Sequence, residues 1–160
     1  MLTLNSWVLN KRKFSVILAD LEGLKYINDD YGHTDGDAYI INTAKHLKSF
    51  SLFIHNDVTT FFDTSKGYIP PEVVVSRIGG DEFMLLASDL NYDEAFAVMN
   101  NVCNNLVNDK YVSNKDYSYN INFGISAVDA DNELSTSEIL SIADQRLNDS
   151  KQFNKKERFK

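Results

Sequence analysis

Two adjacent glycines, Gly79-Gly80, stand between two runs of strand-forming residues, and no other feature restricts the fold of this chain as much. Before them lies Glu72-Val73-Val74-Val75-Ser76-Arg77-Ile78, and after them Glu82-Phe83-Met84-Leu85-Leu86-Ala87. Strand, tight turn and returning strand predict an antiparallel hairpin with Gly79-Gly80-Asp81 near its tip. Paired glycines give such a turn access to backbone angles closed to other residues, and let its N–H groups approach a phosphate. Two carboxylates, Asp81 and Glu82, follow at once. Neighbouring side chains in a strand point to opposite faces. Either the turn relaxes that rule, or only one of the two carboxylates meets a metal directly. Spacing alone also fits an exposed turn with solvated charges.

The other segments place this hairpin in a mixed fold. Phe14-Ser15-Val16-Ile17-Leu18-Ala19 reads as a buried strand ending at Asp20. Gly23 to Tyr31 reads as a short helix broken by Gly32, and a second helix starts at Asp35-Gly36-Asp37 with Ile40, Ala44 and Leu47 on its buried face. The stretch 51–71 reads as a hairpin or extended loop, with strand character at Val58 to Phe62 and a stop at Pro70-Pro71. Asn91 to Asn108 is an amphipathic helix. Tyr117 to Val128 reads as a strand with Ile121, Phe123 and Ile125 on one face. Ser135 to about Phe153 is a last helix, capped by Ser135 or Thr136. These elements predict an α+β fold: one domain over 1–160, with helices packed on a mostly antiparallel sheet.

Composition excludes several classes of function. A chain of 160 residues with a formal charge of −7 lacks the basic face of a nucleic-acid binder, so no nucleic-acid partner is expected. The single cysteine, Cys103, rules out an internal disulfide and a thiolate zinc site, and points to a reducing, cytoplasmic setting. Its place in the pattern Ala95, Val98, Met99, Val102, Leu106 suits a small core hydrophobe. No apolar run reaches the roughly 20 residues that span a bilayer, so no membrane contact by this domain is expected. The domain could still be the cytoplasmic module of a membrane-anchored protein.

Three further constellations could carry chemistry. Asp20 at the end of a buried strand could hold Mg²⁺, which takes few protein oxygens and fills its shell with water and phosphate; it also fits a helix cap or turn. Asn28 pairs a donor with an acceptor, and Asp37 is acceptor-only, a combination suited to a guanine edge; both also fit a solvated helix face. Lys151 and Lys155 lie four apart and could grip a triphosphate, although cations in a last helical turn also suit the dipole.

Together these residues resemble a family. Asp20 to Asp37 closely resembles the first block of the GGDEF-domain diguanylate cyclases, Arg77 to Phe83 their signature turn, and Ala143 to Lys151 their final helix motif. The three blocks stand in the family's order over about Phe14 to Lys155. The resemblance implies a palm or ferredoxin-like cyclase fold that condenses two GTP into cyclic di-GMP with release of pyrophosphate. It implies Asp81 and Glu82 as catalytic residues. Asp20, the Leu21 carbonyl, Asp81 and Glu82 would hold Mg²⁺ or Mn²⁺. Leu24, Lys25, Asn28, Asp37, Gly79, Gly80, Lys151 and Lys155 would bind substrate, with Asn28 and Asp37 on guanine and the lysines on phosphates. Each domain would hold one GTP, so the family's reaction needs a homodimer, transient or stable, governed by an upstream sensor or regulatory domain.

The departures carry expectations of their own. The family often has Arg-x-x-Asp before the turn, forming a product-binding inhibitory site. Pro70 and Val73 stand at those positions, which implies that the site is absent. Glu22 replaces a common Asp, Leu24 a common aromatic, and Asn154-Lys155 a frequent Gly-Arg pair. Residues 51–71 form an insertion of unassigned role, and the segment before Phe14 is too short for the family's usual N-terminal helix. The alternative reading is a catalytically silent module that binds GTP or dimerises to regulate a partner.

Overall fold

The computed structural model describes residues 1–51, 71–111 and 115–157. Within these, five helices and four strands follow one another as α1 (Leu2–Leu9), β1 (Phe14–Leu21), α2 (Leu24–Tyr31), α3 (His33–Lys48), β2 (Val73–Arg77), β3 (Glu82–Ser88), α4 (Tyr92–Val107), β4 (Ile121–Val128) and α5 (Thr136–Glu157). The strands form one sheet in the order β2-β3-β1-β4, antiparallel throughout. This is the α+β arrangement that the sequence predicts.

β1 is apolar along nearly its whole length because both of its faces are covered. Ile17, Ala19 and Leu21 point to one side, where they join Phe83, Leu85, Ile121 and Ile125 and the buried residues of α2, α3 and α4. Phe14 and Val16 point to the other, against Leu4 and Trp7 of α1, Met84, Leu86 and Ile139 of α5. Ser15 is fully buried, and its hydroxyl donates to the Leu90 carbonyl at 3.0 Å, which satisfies the buried polar group. Asp20 shares the even-numbered face, the one covered by α5 (Thr136–Glu157).

The segment before Phe14 carries a short helix of 8 residues, α1, with Leu4 and Trp7 buried. Several expectations need correction. α3 begins at His33, two residues before the predicted start, directly after Gly32, whose positive φ separates it from α2; Asp35 lies in its first turn and pairs with Lys115. β4 begins at Ile121 and not at Tyr117. The tyrosine rings before it pack inward, Tyr117 against Tyr31 and Tyr119 against Tyr39, and Asn120 bonds to Tyr39 and Glu22. α5 runs on to Glu157. The predicted starts of the last two helices hold, through capping boxes at Asn91 with Glu94 and at Ser135 with Glu138. The reading of Val58 to Phe62, and most of 51–71, lies outside the described residues.

Candidate functional site

The end of β1 brings the first group of candidates together. Asp20 lies directly opposite Glu82 of β3 on one side and Asn122 of β4 on the other. Opposite residues of an antiparallel pair share a face, with Cβ atoms about 4.5–5.5 Å apart. Glu82 is therefore the member of the Asp81-Glu82 pair that stands on the Asp20 face. Asp81 is fixed instead through its backbone: its carbonyl accepts from the Leu21 N–H at 2.9 Å.

α5 supplies the cation. Lys151 Nζ lies 2.9 Å from Asp20 Oδ2, with the Asp20 side chain 14% exposed and Lys151 35% exposed. One turn on, Asn154 Nδ2 donates to Asn122 Oδ1 at 2.7 Å, and Asn122 is buried. Residues 151 and 154 thus reach down from one helix face to two neighbouring strands. Lys155, expected beside Lys151, is exposed. The sequence marks Asn154 only as part of a departure from a Gly-Arg pair and gives it no role; its spacing of three from Lys151 was the available signal. The helix comes this close because β4 has Gly124 beneath it. A Cβ there would run into the Ala143 carbonyl and the Leu147 amide, both backbone atoms that cannot step aside.

The glycine turn differs from expectation in its cause. Among the described residues the glycines with positive φ are Gly23 and Gly32, at the ends of α2, and neither Gly79 nor Gly80. Gly79 is instead a matter of space: a Cβ there would lie 2.6 Å from Glu82 Oε2, so its absence leaves room for the carboxylate. A Cβ on Gly80 would meet nothing within 4 Å. Arg77 braces the turn from behind, donating from Nε to the Gly79 carbonyl at 3.1 Å and from Nη2 to the Gly80 carbonyl at 2.6 Å. That role was not legible beforehand.

The second group sits on α2 and α3. A Cβ on Gly36 would overlap the Asn28 side-chain oxygen, so the amide of Asn28 lies directly over Gly36, next to Asp37. Lys25 and Asp37 are exposed. Leu24 departs from its expected role: its side chain is 9% exposed and belongs to the core with Ile27. What it still offers at the surface is the backbone of the first helical turn, whose N–H groups have no intrahelical acceptor. Asp35 holds Lys115, with both carboxylate oxygens at 3.0 Å, and accepts from the Tyr111 hydroxyl. Lys115 keeps the Asp35 carboxyl below its ordinary range.

The donor set at the end of β1 suits a hard divalent cation. Among the described residues no three His, Cys, Asp or Glu side chains gather as a metal nest. Mg²⁺ does not need one, because it binds through one or two carboxylates and completes its shell with water and substrate phosphates. Asp20 and Glu82 are the two carboxylates that register sets on one face there, and the Lys151 ammonium sits against Asp20. An apolar groove of about 520 Å³, lined by Leu18, Ile78, Met84 and Leu140, runs alongside and includes none of the candidate residues.

Comparison with known proteins points the same way. The family model described as "Diguanylate cyclase, GGDEF domain" matches residues 3–57 and 66–157. Diguanylate cyclase A of Treponema denticola is 30% identical over 152 residues, which is 94% of this chain and 36% of that protein. An uncharacterized membrane protein of Staphylococcus saprophyticus is 24% identical over 140 residues, 86% of this chain and 34% of that one. The chain thus spans about a third of the length of these relatives. The structure of the GGDEF domain of DgcB from Caulobacter crescentus, solved in complex with c-di-GMP, superposes with a TM-score of 0.73 at 17% identity, covering 94% of this chain and 81% of that one. That likeness establishes the palm-like fold. Among the described residues no helix is long and apolar enough to cross a membrane.

Proposed function

This chain belongs to the GGDEF domain family of diguanylate cyclases, and we propose that it condenses two GTP molecules into cyclic di-GMP. The observation that carries this reading is the pairing of Asp20 with Glu82 across β1 and β3, with Lys151 at 2.9 Å from Asp20. Carboxylates for a metal and a cation for phosphate meet where a triphosphate can reach both.

In this reading Asp37 accepts from the guanine N1–H and exocyclic amine, while Asn28, held over Gly36, supplies one donor and one acceptor to the same base. Lys25, Lys151 and Lys155 take the phosphates, with Lys151 turning from Asp20 to the triphosphate as it arrives. Gly80, with no neighbour inside the protein, leaves room for the nucleotide at the turn. Asp20, Glu82, Asp81 and the Leu21 carbonyl would hold Mg²⁺ or Mn²⁺. When bound, that ion neutralises phosphate charge and eases loss of the proton from the attacking 3′-hydroxyl. An Asp81 or Glu82 carboxylate accepts the proton that the 3′-hydroxyl loses. The 3′-oxygen forms a bond to phosphorus as the bond to pyrophosphate breaks. Two such transfers close the ring, so two domains face each other as a homodimer. The input comes from a sensor or regulatory segment joined to this domain.

The test is direct. A dimerised form of the protein, given GTP and Mg²⁺, should yield cyclic di-GMP detectable by chromatography, and Asp81→Ala should abolish it. GTP binding without product at any protein concentration would favour a silent regulatory module. Product formed equally by Asp81→Ala would sink the mechanism.

A further inference from the structure

We propose that Tyr39 is a positioning residue for the nucleotide site. Its hydroxyl fastens α3, which carries Asp37, to Asn120 at the start of β4, and so fixes the spacing between the base-reading and metal-holding halves. The inference rests on the cyclase reading above.

Tyr39 is fully buried on α3. Its ring stacks flat on Tyr119, with centroids 4.1 Å apart and planes 6° from parallel. Phenylalanine would fill that space as well, so packing explains the ring and leaves the hydroxyl to be explained. The hydroxyl meets only backbone. It accepts from the Asn120 N–H at 2.9 Å, and it lies 2.5 Å from the Asn120 carbonyl and 3.2 Å from the Glu22 carbonyl. A phenol has one proton, which goes to the nearer carbonyl, that of Asn120. The Glu22 N–H donates to the same Asn120 carbonyl at 2.9 Å. That oxygen therefore ties α3 to Asn120, whose carbonyl in turn holds the Glu22 N–H.

Those segments both lead into the site. Glu22 follows Leu21 and lies two residues beyond Asp20. Asn120 lies two residues before Asn122, which stands opposite Asp20 and accepts from Asn154 of α5. Tyr39 itself is two residues past Asp37, within one turn of the same helix. The helix that presents Asp37 to the base thus also ties down the strand ends that present Asp20. Loss of the hydroxyl leaves the partly buried Asn120 N–H without its acceptor and frees α3 from Asn120, while the Glu22–Asn120 backbone bond and the side chains of each half remain.

The experiment compares wild type, Tyr39→Phe and Tyr119→Phe. The last keeps the stack and removes a hydroxyl that makes no hydrogen bond to the Glu22 or Asn120 backbone. GTP affinity is measured by calorimetry with and without Mg²⁺, alongside kcat and KM. For Tyr39→Phe, affinity without Mg²⁺ should stay within about twofold of wild type. The gain on adding Mg²⁺ and kcat should each fall roughly 10-fold, the range seen for residues that orient metal ligands. Tyr119→Phe should behave as wild type.

Equal Mg²⁺ dependence and kcat in Tyr39→Phe and wild type would overturn the proposal while leaving the cyclase reading intact. A wild type that binds no GTP would overturn both. Should Tyr39→Phe fail to fold, amide exchange on wild type decides. Mg²⁺ and GTP together should slow exchange at Glu22 and Asn120, and unchanged exchange there rejects the role.

Discussion

At the scale of single residues, the contact between Lys151 and Asp20 separates stability from function. The pair is partly exposed, and such ion pairs contribute about 0–1 kcal/mol to folding. Lys151→Met should therefore shift the melting temperature by only a few degrees, about what 1 kcal/mol produces in a domain of this size. Loss of a cation from the phosphates should cost about 100-fold in kcat/KM for GTP. Thermal melts beside steady-state kinetics check both numbers, and a large melting shift with normal kinetics would make Lys151 a structural residue. Asp20, the acid pair and Lys151 could be picked out from sequence because charged side chains after apolar strands and on helix faces leave a visible pattern. The choice of Glu82 over Asp81 as Asp20's neighbour could not, because it depends on the register between strands that lie far apart in the chain. The same holds for Leu24, which one turn of helix carries into the core.

At the scale of elements, the seat of α5 on β4 decides where Lys151 and Asn154 can reach. Gly124→Ala puts a methyl into helix backbone, and overpacking of this kind typically costs about 1–3 kcal/mol. The denaturant midpoint should fall accordingly. Activity should fall further than stability alone explains, because the displaced helix carries Lys151 off Asp20. Unchanged stability would mean that the helix can slide without penalty. The link from α3 to Lys115 adds a pH dependence. Lys115 depresses the Asp35 pKa in the folded chain, so the stabilisation is complete above the unfolded value, about pH 3.9, and is lost as pH falls through the lower folded value. Asp35→Asn should melt below wild type at pH 6, and the gap should close below about pH 4. A gap that persists at low pH would assign the effect to something other than this carboxylate. Hairpin, helices and central strand were legible because their periodicities are local. The shortened β4 was not, because Asn120 takes a partner about 80 residues away.

At the scale of the whole molecule, the two halves of the proposed site stand on different layers. Asn28 and Asp37 belong to the helical layer on one face of the sheet, whereas Asp20, Glu82 and Lys151 meet on the other face. Sequence order hides this, because Asp20 and Asn28 are eight residues apart yet separated by the sheet's edge. If each domain binds one GTP, turnover must depend on pairing. Specific activity should rise with protein concentration, and fusion to a dimeric coiled coil should remove that dependence. Constant specific activity over a 100-fold dilution, with the protein monomeric throughout, would reject the dimer requirement.

Gly80 has a practical consequence. No neighbour fills the space beside it, so a foreign group attached there should be invisible to the folded chain and felt only by what docks at the turn. The chain's one native thiol would not compete for a label: Cys103 is partly buried against the core, and burial pushes its thiol pKa up to about 12. A Gly80→Cys protein should therefore take a thiol-reactive fluorophore at one place, turning the hairpin tip into an optical reporter of nucleotide arrival.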